Sequence, residues 1–218
     1  SFDDSIFNII LWGSDSAKTN KQITALDEIV KKSGIDFEKL KNINTDTKGW
    51  LKVPGTSINY PFVQSKNNEY YLTHSFDKSH NQSGWVFMDY RNNIDKLDQN
   101  TIIYAHARID GTMFGSMKNA LSHDWYSKAD NYIIRVYAEK KETKWKVFSV
   151  YRIKTTDDYL QTSFNKAGEL QSFLDLITGR SIYNFKTPPD KNDKILTLST
   201  CYNEAEKVVL HAKLTSAK

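Results

Sequence analysis

One cysteine, Cys201, is all the thiol this chain of 218 residues contains. A single thiol closes no internal disulfide, so no bridge framework holds the fold and none reveals the redox compartment. Metal chemistry lacks its ligands as well. No second cysteine exists, and the five histidines, His74, His80, His106, His123 and His211, include no pair at zinc-site spacing. A glycine-rich phosphate-binding loop is also missing. Neither a metal nor a cofactor is therefore expected. No stretch approaches the roughly 20 apolar residues that cross a bilayer, and no signal-peptide pattern opens the chain. A start at Ser1 fits a leader or anchor trimmed away upstream, so the missing span does not argue for the cytosol. Only 4 prolines occur, and no repeat or low-complexity linker divides the sequence. The net charge is +4 without a long basic run, which gives no case for nucleic acid as a partner.

What is present describes a globular protein. Hydrophobic residues make up 39% and charged residues 26%, and the length suffices for one sizeable core or two small ones. Aromatic residues reach 13%, with 12 tyrosines and 5 tryptophans, a composition that suits β-structure and a groove with amphipathic walls. From Thr19 to Lys32 the apolar residues Ile23, Leu26, Ile29 and Val30 recur at helical spacing, and Ser33-Gly34 supplies a stop. A short helix follows over Phe37–Lys41. At Gly49 the texture changes: WLKVPGTSINYPFVQ alternates and turns at Pro-Gly, as a hairpin does. Further strands are expected at Gly84–Asp89, Thr101–Ala105, Tyr132–Glu139, Lys144–Lys154, Lys194–Thr200 and Lys207–Leu214. Helical pieces are expected at Asn68–Leu72, Met113–Leu121 and Lys166–Thr178. The sum is a mainly β fold: a closed, mostly antiparallel barrel of about eight strands at 46–218, with a helical region at 1–45 packed on it. A barrel of that size fills its interior with side chains, so a site belongs in an outer groove or at the rim.

Chemistry concentrates near the C-terminus, in ILTLSTCYNEAEKVVLHAKL at 195–214. Strand alternation sets Ile195, Thr197, Ser199 and Cys201 on one face, and Leu196, Leu198 and Thr200 on the other. The leucine face reads as core and the small polar face as a groove floor. Lone cysteines are commonly inert, buried hydrophobes, and that reading stands beside the nucleophilic one. A nucleophilic thiol needs a partner for its proton. His106 qualifies, because in IIYAHARIDGTMFGSM it stands where a strand runs into a glycine-containing loop. His74, His80 and His123 lie among polar loop residues, which suits solvation. His211 shares a strand face with Lys207 and Val209, which suits packing. A developing oxyanion also needs a cation, best an arginine with its planar fork. Lys207 is the nearest cation after Cys201, on a strand where solvation is the plain reading.

Taken together, TLSTC followed by VVLHAKL resembles the C-terminal motif of sortases, the cysteine transpeptidases of Gram-positive cell surfaces. GWLKVPGTSINYPFVQ, NNEYYLTHSFD, GWVFMDYRNN, IIYAHARIDGTMFGSM and TTDDYLQTSF are similar, in order, to the class B members, from Gly49 to Leu214. The resemblance implies an eight-stranded sortase-type barrel, with N-terminal helices and a helix in the connection before the seventh strand. It implies Cys201 as nucleophile and His106 as the catalytic histidine. Substrate contacts are implied at Asn68, Leu72, Tyr104, Ser199 and, in the long connection between the sixth and seventh strands, at Thr155, Tyr159 and Leu160. One position departs. The family's arginine, five residues before the small residue of the closing segment, corresponds to Lys207 when counted back from Ala212, and the loop is about two residues shorter than the pattern. Arg108 is the alternative cation, while Arg152 and Arg180 are less well placed.

The implied activity is cleavage of a C-terminal sorting signal after threonine through a thioester. Transfer then goes to an amine of peptidoglycan or its lipid-linked precursor, on the outer face of a membrane to which a trimmed N-terminal anchor would hold the enzyme. Two rivals remain: a thiol hydrolase resolved by water, and a sortase-like module that binds surface peptides with weak or no turnover.

Overall fold

The computed structural model describes residues 2–30, 34–200 and 205–218, with backbone alone for residues 2–12. Helix α1 spans Phe2–Val30, inside the N-terminal region expected to be helical and including most of the periodic segment from Thr19. Its expected stop falls partly outside the described residues, which resume at Gly34 with a left-handed backbone (φ 86°). Helix α2 covers Phe37–Ile43, and its first turn is capped by Asp36, whose carboxylate accepts from the Lys39 N–H. The remaining chain is β1 (Thr47–Lys52), β2 (Asn59–Val63), β3 (Phe87–Met88), β4 (Asn100–Ala105), the short helix α3 (His123–Tyr126), β5 (Ile133–Tyr137), β6 (Glu142–Lys154), α4 (Glu169–Gly179), β7 (Ile195–Thr200) and β8 (Glu206–Ala217). The helical pieces expected at Asn68–Leu72 and Met113–Leu121 are 3-10 turns at Tyr70–Leu72 and Gly115–Leu121.

The strands close into an eight-stranded barrel in the order β1-β2-β3-β4-β7-β8-β6-β5. β2–β3 and β4–β7 run parallel and the other neighbours antiparallel, so the barrel is mixed. The expected strand Gly84–Asp89 shrinks to Phe87–Met88. Gly84 has a left-handed backbone (φ 59°), and the Trp85 N–H goes to the Tyr71 carbonyl rather than to a ladder.

Core packing fixes the barrel. Trp50, Trp85 and Trp145 are at most 2% exposed. Each indole N–H has a partner: Asn59 Oδ1 at 2.7 Å, the Pro61 carbonyl at 2.9 Å and Thr143 Oγ1 at 2.8 Å. These rings therefore bury large apolar area without stranding a donor. Leu196 and Leu198 of β7 join this core. Ile195 instead packs with Phe148, Tyr151, Phe173, Leu174, Ile177 and Val209 in a second cluster that seats α4 on the sheet. The spacing Phe173, Leu174, Ile177 gives α4 the single apolar face this requires. At the other end of the sequence, Leu26 of α1 is 4% exposed within the main core, and Ile23, Ile29 and Val30 pack against it.

Candidate active site

The parallel pairing of β4 and β7 organises the rim. Their register runs from Asn100↔Ile195 to Ala105↔Thr200, so both chains leave the sheet at one end, about 4.8 Å apart. His106 is the next residue after β4. Cys201 is the next residue after β7 in the sequence and lies, with 202–204, outside the described residues.

His106 is half-buried, and its Nε2 lies 2.7 Å from the Leu72 carbonyl oxygen. A carbonyl only accepts, so Nε2 carries the hydrogen, and the neutral ring keeps its lone pair on Nδ1. Burial pushes the His106 pKa below its ordinary value, and the nearby Arg108 charge adds to this while the Leu72 contact opposes it. The ring rests over Gly84. A Cβ there would meet the Tyr71 carbonyl at 2.3 Å and the His106 ring at 3.1 Å, so only glycine admits this approach.

Arg108 is 7% exposed, and its Nη2 donates to Ser16 Oγ of α1 at 3.1 Å. The same turn of α1 holds the segment before Gly84: Asp15 Oδ2 accepts the Gln82 N–H at 3.0 Å, and Asn81 Nδ2 donates to the Asp15 carbonyl and Thr19 Oγ1. Beyond the rim a groove of about 520 Å³ is lined by Ala107, Arg108, Ile109, Lys118, Thr200 and Ala205 among others. Lys207 is half-buried near the start of β8 and pairs in register with Ile153, while its neighbour Glu206 faces Arg152 at 3.8 Å. Arg180 is engaged elsewhere, donating from Nη1 and Nη2 to the two carboxylate oxygens of Asp158 at 2.6 Å each.

The other expected groove residues come together around a carboxylate that the sequence reading did not single out. Asp89 is fully buried. Its Oδ2 accepts from Tyr104 Oη at 2.8 Å, Asn68 Nδ2 at 3.0 Å and Arg91 Nη2 at 2.9 Å, and its Oδ1 accepts from the Arg91 N–H and Nε. Burial alone would raise its pKa, but the Arg91 contacts and the Tyr104 hydroxyl outweigh this and hold it below the ordinary carboxylate value. Arg91 Nη2 also donates to the Leu160 carbonyl at 2.8 Å. The only sequence signal for this pair was Asp and Arg two apart in MDYRNN, a spacing common on any surface loop.

Ser199 differs from the open groove floor that strand alternation suggested. It is 0% exposed, its Oγ lies 2.9 Å from the Tyr159 hydroxyl, and Tyr159 is itself fully buried. The physical reason is the connection after β6, which folds back over this face of β7. Thr197 on the same face is equally covered, bonded to Asn100 Oδ1 and His211 Nδ1. Thr155 remains exposed, and its N–H donates to the Ala205 carbonyl at 3.3 Å. Leu72 and Leu160 are half-buried. His80 and His123 are exposed as expected, whereas His74 is half-buried, stacked on Tyr70 and held by the Tyr70 carbonyl. Among the described residues no group of three or more histidine, cysteine or acidic side chains could hold a metal.

The closed mixed barrel thus carries a strand-end histidine at its rim, outside the packed interior, where two parallel strands leave the sheet together. A sequence model of the sortase domain matches residues 51–215, and the chain belongs to the sortase family. Its relatives are of class B. Sortase B of Staphylococcus aureus is 39% identical over 182 residues, 82% of this chain and 74% of that protein. Sortase B of Listeria monocytogenes is 31% identical over 210 residues, 94% of this chain and 81% of that protein. The crystal structure of sortase B from Bacillus anthracis superposes with a TM-score of 0.85 at 33% identity, covering 93% of this chain and 99% of that one. The protein is thus a sortase-type transpeptidase of a family that acts at the cell surface. Among the described residues no helix is long and apolar enough to cross a membrane.

Proposed function

We propose that the protein cleaves a C-terminal sorting signal after threonine and joins the new carboxyl end to a cell-wall amine, with Cys201 as nucleophile and His106 as acid and base. The observation that carries this reading is the Ala105↔Thr200 pairing, which brings the chain leading to His106 and the chain leading to Cys201 out of the sheet side by side. His106 takes the proton of the Cys201 thiol, and the resulting thiolate attacks the threonine carbonyl carbon. The tetrahedral adduct collapses, the peptide C–N bond breaks, and the imidazolium of His106 gives its proton to the departing amine. The acyl group is left as a thioester. The incoming amine attacks that carbonyl and its proton passes to His106, and the thiolate leaves.

Lys207 supplies the positive charge for both oxyanions. As an ammonium it provides a point charge without the planar fork of an arginine. Arg180 is committed to Asp158, and Arg108, which bonds Ser16 of α1 and also lines the groove beside Thr200, is the alternative cation. The sorting peptide lies along Asn68, Leu72, Thr155 and Leu160, with buried Tyr104, Tyr159 and Ser199 supporting these residues from beneath. Residues 1–45 act as a helical support and 46–218 as the catalytic barrel, held near the outer face of the membrane by a preceding anchor. The acceptor is an amine of peptidoglycan or its lipid-linked precursor.

The test is product analysis by mass spectrometry with a sorting-signal peptide selected from a library. A thioester on Cys201, and a ligated product when an amine is added, are expected. Hydrolysis alone at every amine concentration points instead to a thiol hydrolase, and binding without a thioester to a recognition module.

A further inference from the structure

Asp89 accepts five hydrogen bonds with two oxygens, which fills the acceptor capacity of a carboxylate. Its partners come from separate parts of the chain: Asn68 in the loop after β2, Tyr104 on β4 and Arg91 just after β3. Arg91 Nη2 also donates to the Leu160 carbonyl, in the connection after β6. Leu160 adjoins Tyr159, whose hydroxyl meets Ser199 one residue before the end of β7. One line of hydrogen bonds therefore crosses from Asn68 and Tyr104 through Asp89 and Arg91 to the connection after β6. We infer that Arg91, fixed by buried Asp89, is a positioning residue that sets the distance between the two walls of the sorting-signal groove. The inference rests on the reading of that groove as the peptide site.

Two features separate this role from support of the fold. The connection after β6 has another tether, because Asn100 Nδ2 donates to the Gln161 carbonyl at 2.9 Å, so it stays on the barrel without Arg91. The loop after β3 is likewise held, since Gln64 Nε2 donates to the Asp89 and Asn92 carbonyls at 2.9 and 2.8 Å. What Arg91 adds, beside the packing of the Leu160 side chain on the core, is a hydrogen-bonded link from Asp89 to the Leu160 backbone. A guanidinium suits the task because its rigid fork reaches a carboxylate and a carbonyl at once, which a lysine ammonium on a flexible stem does not. Loss of about an ångström of positioning costs up to about a hundredfold in rate.

The experiment is steady-state kinetics of Arg91→Ala and Arg91→Lys, with a library-selected sorting-signal peptide and triglycine as amine, beside iodoacetamide alkylation of Cys201. The expected result is a fall of about tenfold in kcat/KM for the peptide in both variants, with the triglycine KM and the alkylation rate within about twofold of wild type. The inference is overturned by peptide kcat/KM within about threefold of wild type in either folded variant, or by parallel loss of amine use and alkylation. Arg91→Lys keeps a cation beside Asp89 and serves where the alanine variant does not fold. A wild-type protein that forms no thioester defeats the transpeptidase reading itself, whereas an active wild type with unaffected Arg91 variants defeats only this inference.

Discussion

His106 and His211 sit on the same barrel, and burial pushes both towards the neutral form, yet their surroundings assign them opposite uses. His211 is 0% exposed among the rings of Phe148, Tyr151 and Tyr159 and commits both nitrogens, Nε2 to the Tyr151 hydroxyl and Nδ1 to Thr197 Oγ1, each at 2.8 Å. Its pKa is pushed down to about 3 by burial, with the Arg180 charge adding to this. His106 commits Nε2 to the Leu72 carbonyl, and among the described residues Nδ1 has no hydrogen-bond partner. A ring with both nitrogens engaged is a buried post. A ring with one nitrogen engaged is oriented and keeps a lone pair for a proton. The direction of the pKa shift does not separate the two, but the number of committed nitrogens does.

The largest effects that would break this contrast come from the rim. Cys201→Ala should abolish thioester formation, and His106→Ala should lower peptide cleavage by about 10²–10⁴-fold, both with melting temperatures close to wild type. Turnover near wild type in Cys201→Ala would end the nucleophilic assignment. At His211 the pattern should reverse: His211→Ala, which leaves a cavity and removes one hydrogen-bond partner each from Tyr151 and Thr197, should cost about 2–4 kcal/mol in urea unfolding while the folded fraction keeps its activity.

Acid sharpens the same contrast. An unfolded His211 takes a proton near its ordinary value of 6.5, and the folded one resists to about 3. The stability this group contributes at neutral pH is therefore lost as pH falls through that window, by about 1.4 kcal/mol per unit. Urea midpoints measured between these pH values should show that slope and lose most of it in His211→Ala. His106 adds a dependence of the same sign.

Smaller effects test the cations. Lys207→Ala should lower kcat/KM by about tenfold or more, and Lys207→Arg should keep or raise it, as read in the same cleavage assay. Silence at Lys207 together with loss of activity in Arg108→Ala would transfer the oxyanion role to Arg108. The smallest expected change is electrostatic. Removal of the Arg108 charge should raise the His106 pKa, followed by NMR titration of the ring, because that charge helps to depress it.

Much of the barrel was legible because strand alternation and turn residues are local signals. Every expected strand has a counterpart in the barrel, the hairpin from Gly49 to Gln64 pairs as β1 and β2, and α4 lies where its apolar spacing put it. Boundaries failed where a tertiary contact overrode the pattern. Gly84–Asp89 alternates like a strand, but Gly84 must turn to admit the His106 ring. The polar face of β7 read as an open floor because alternation separates two faces without saying what covers either. The long connection after β6 covers this one, and Ser199 and Thr197 pair beneath it.

By itself the sequence determined which residue types are available: one thiol, five histidines and an ordered set of motifs that carries the sortase resemblance. It also set the strand that leads to the thiol and the strand that leads to His106. Tertiary structure alone decided that these two strands run parallel and end together, that Arg108 donates to Ser16 of α1, and that Asp89 and Arg91 link Asn68 and Tyr104 to the Leu160 carbonyl. Such facts depend on residues tens of positions apart meeting at 2.8 and 3.1 Å. Local periodicity has no access to that separation; only the closed barrel, through register and core packing, fixes it.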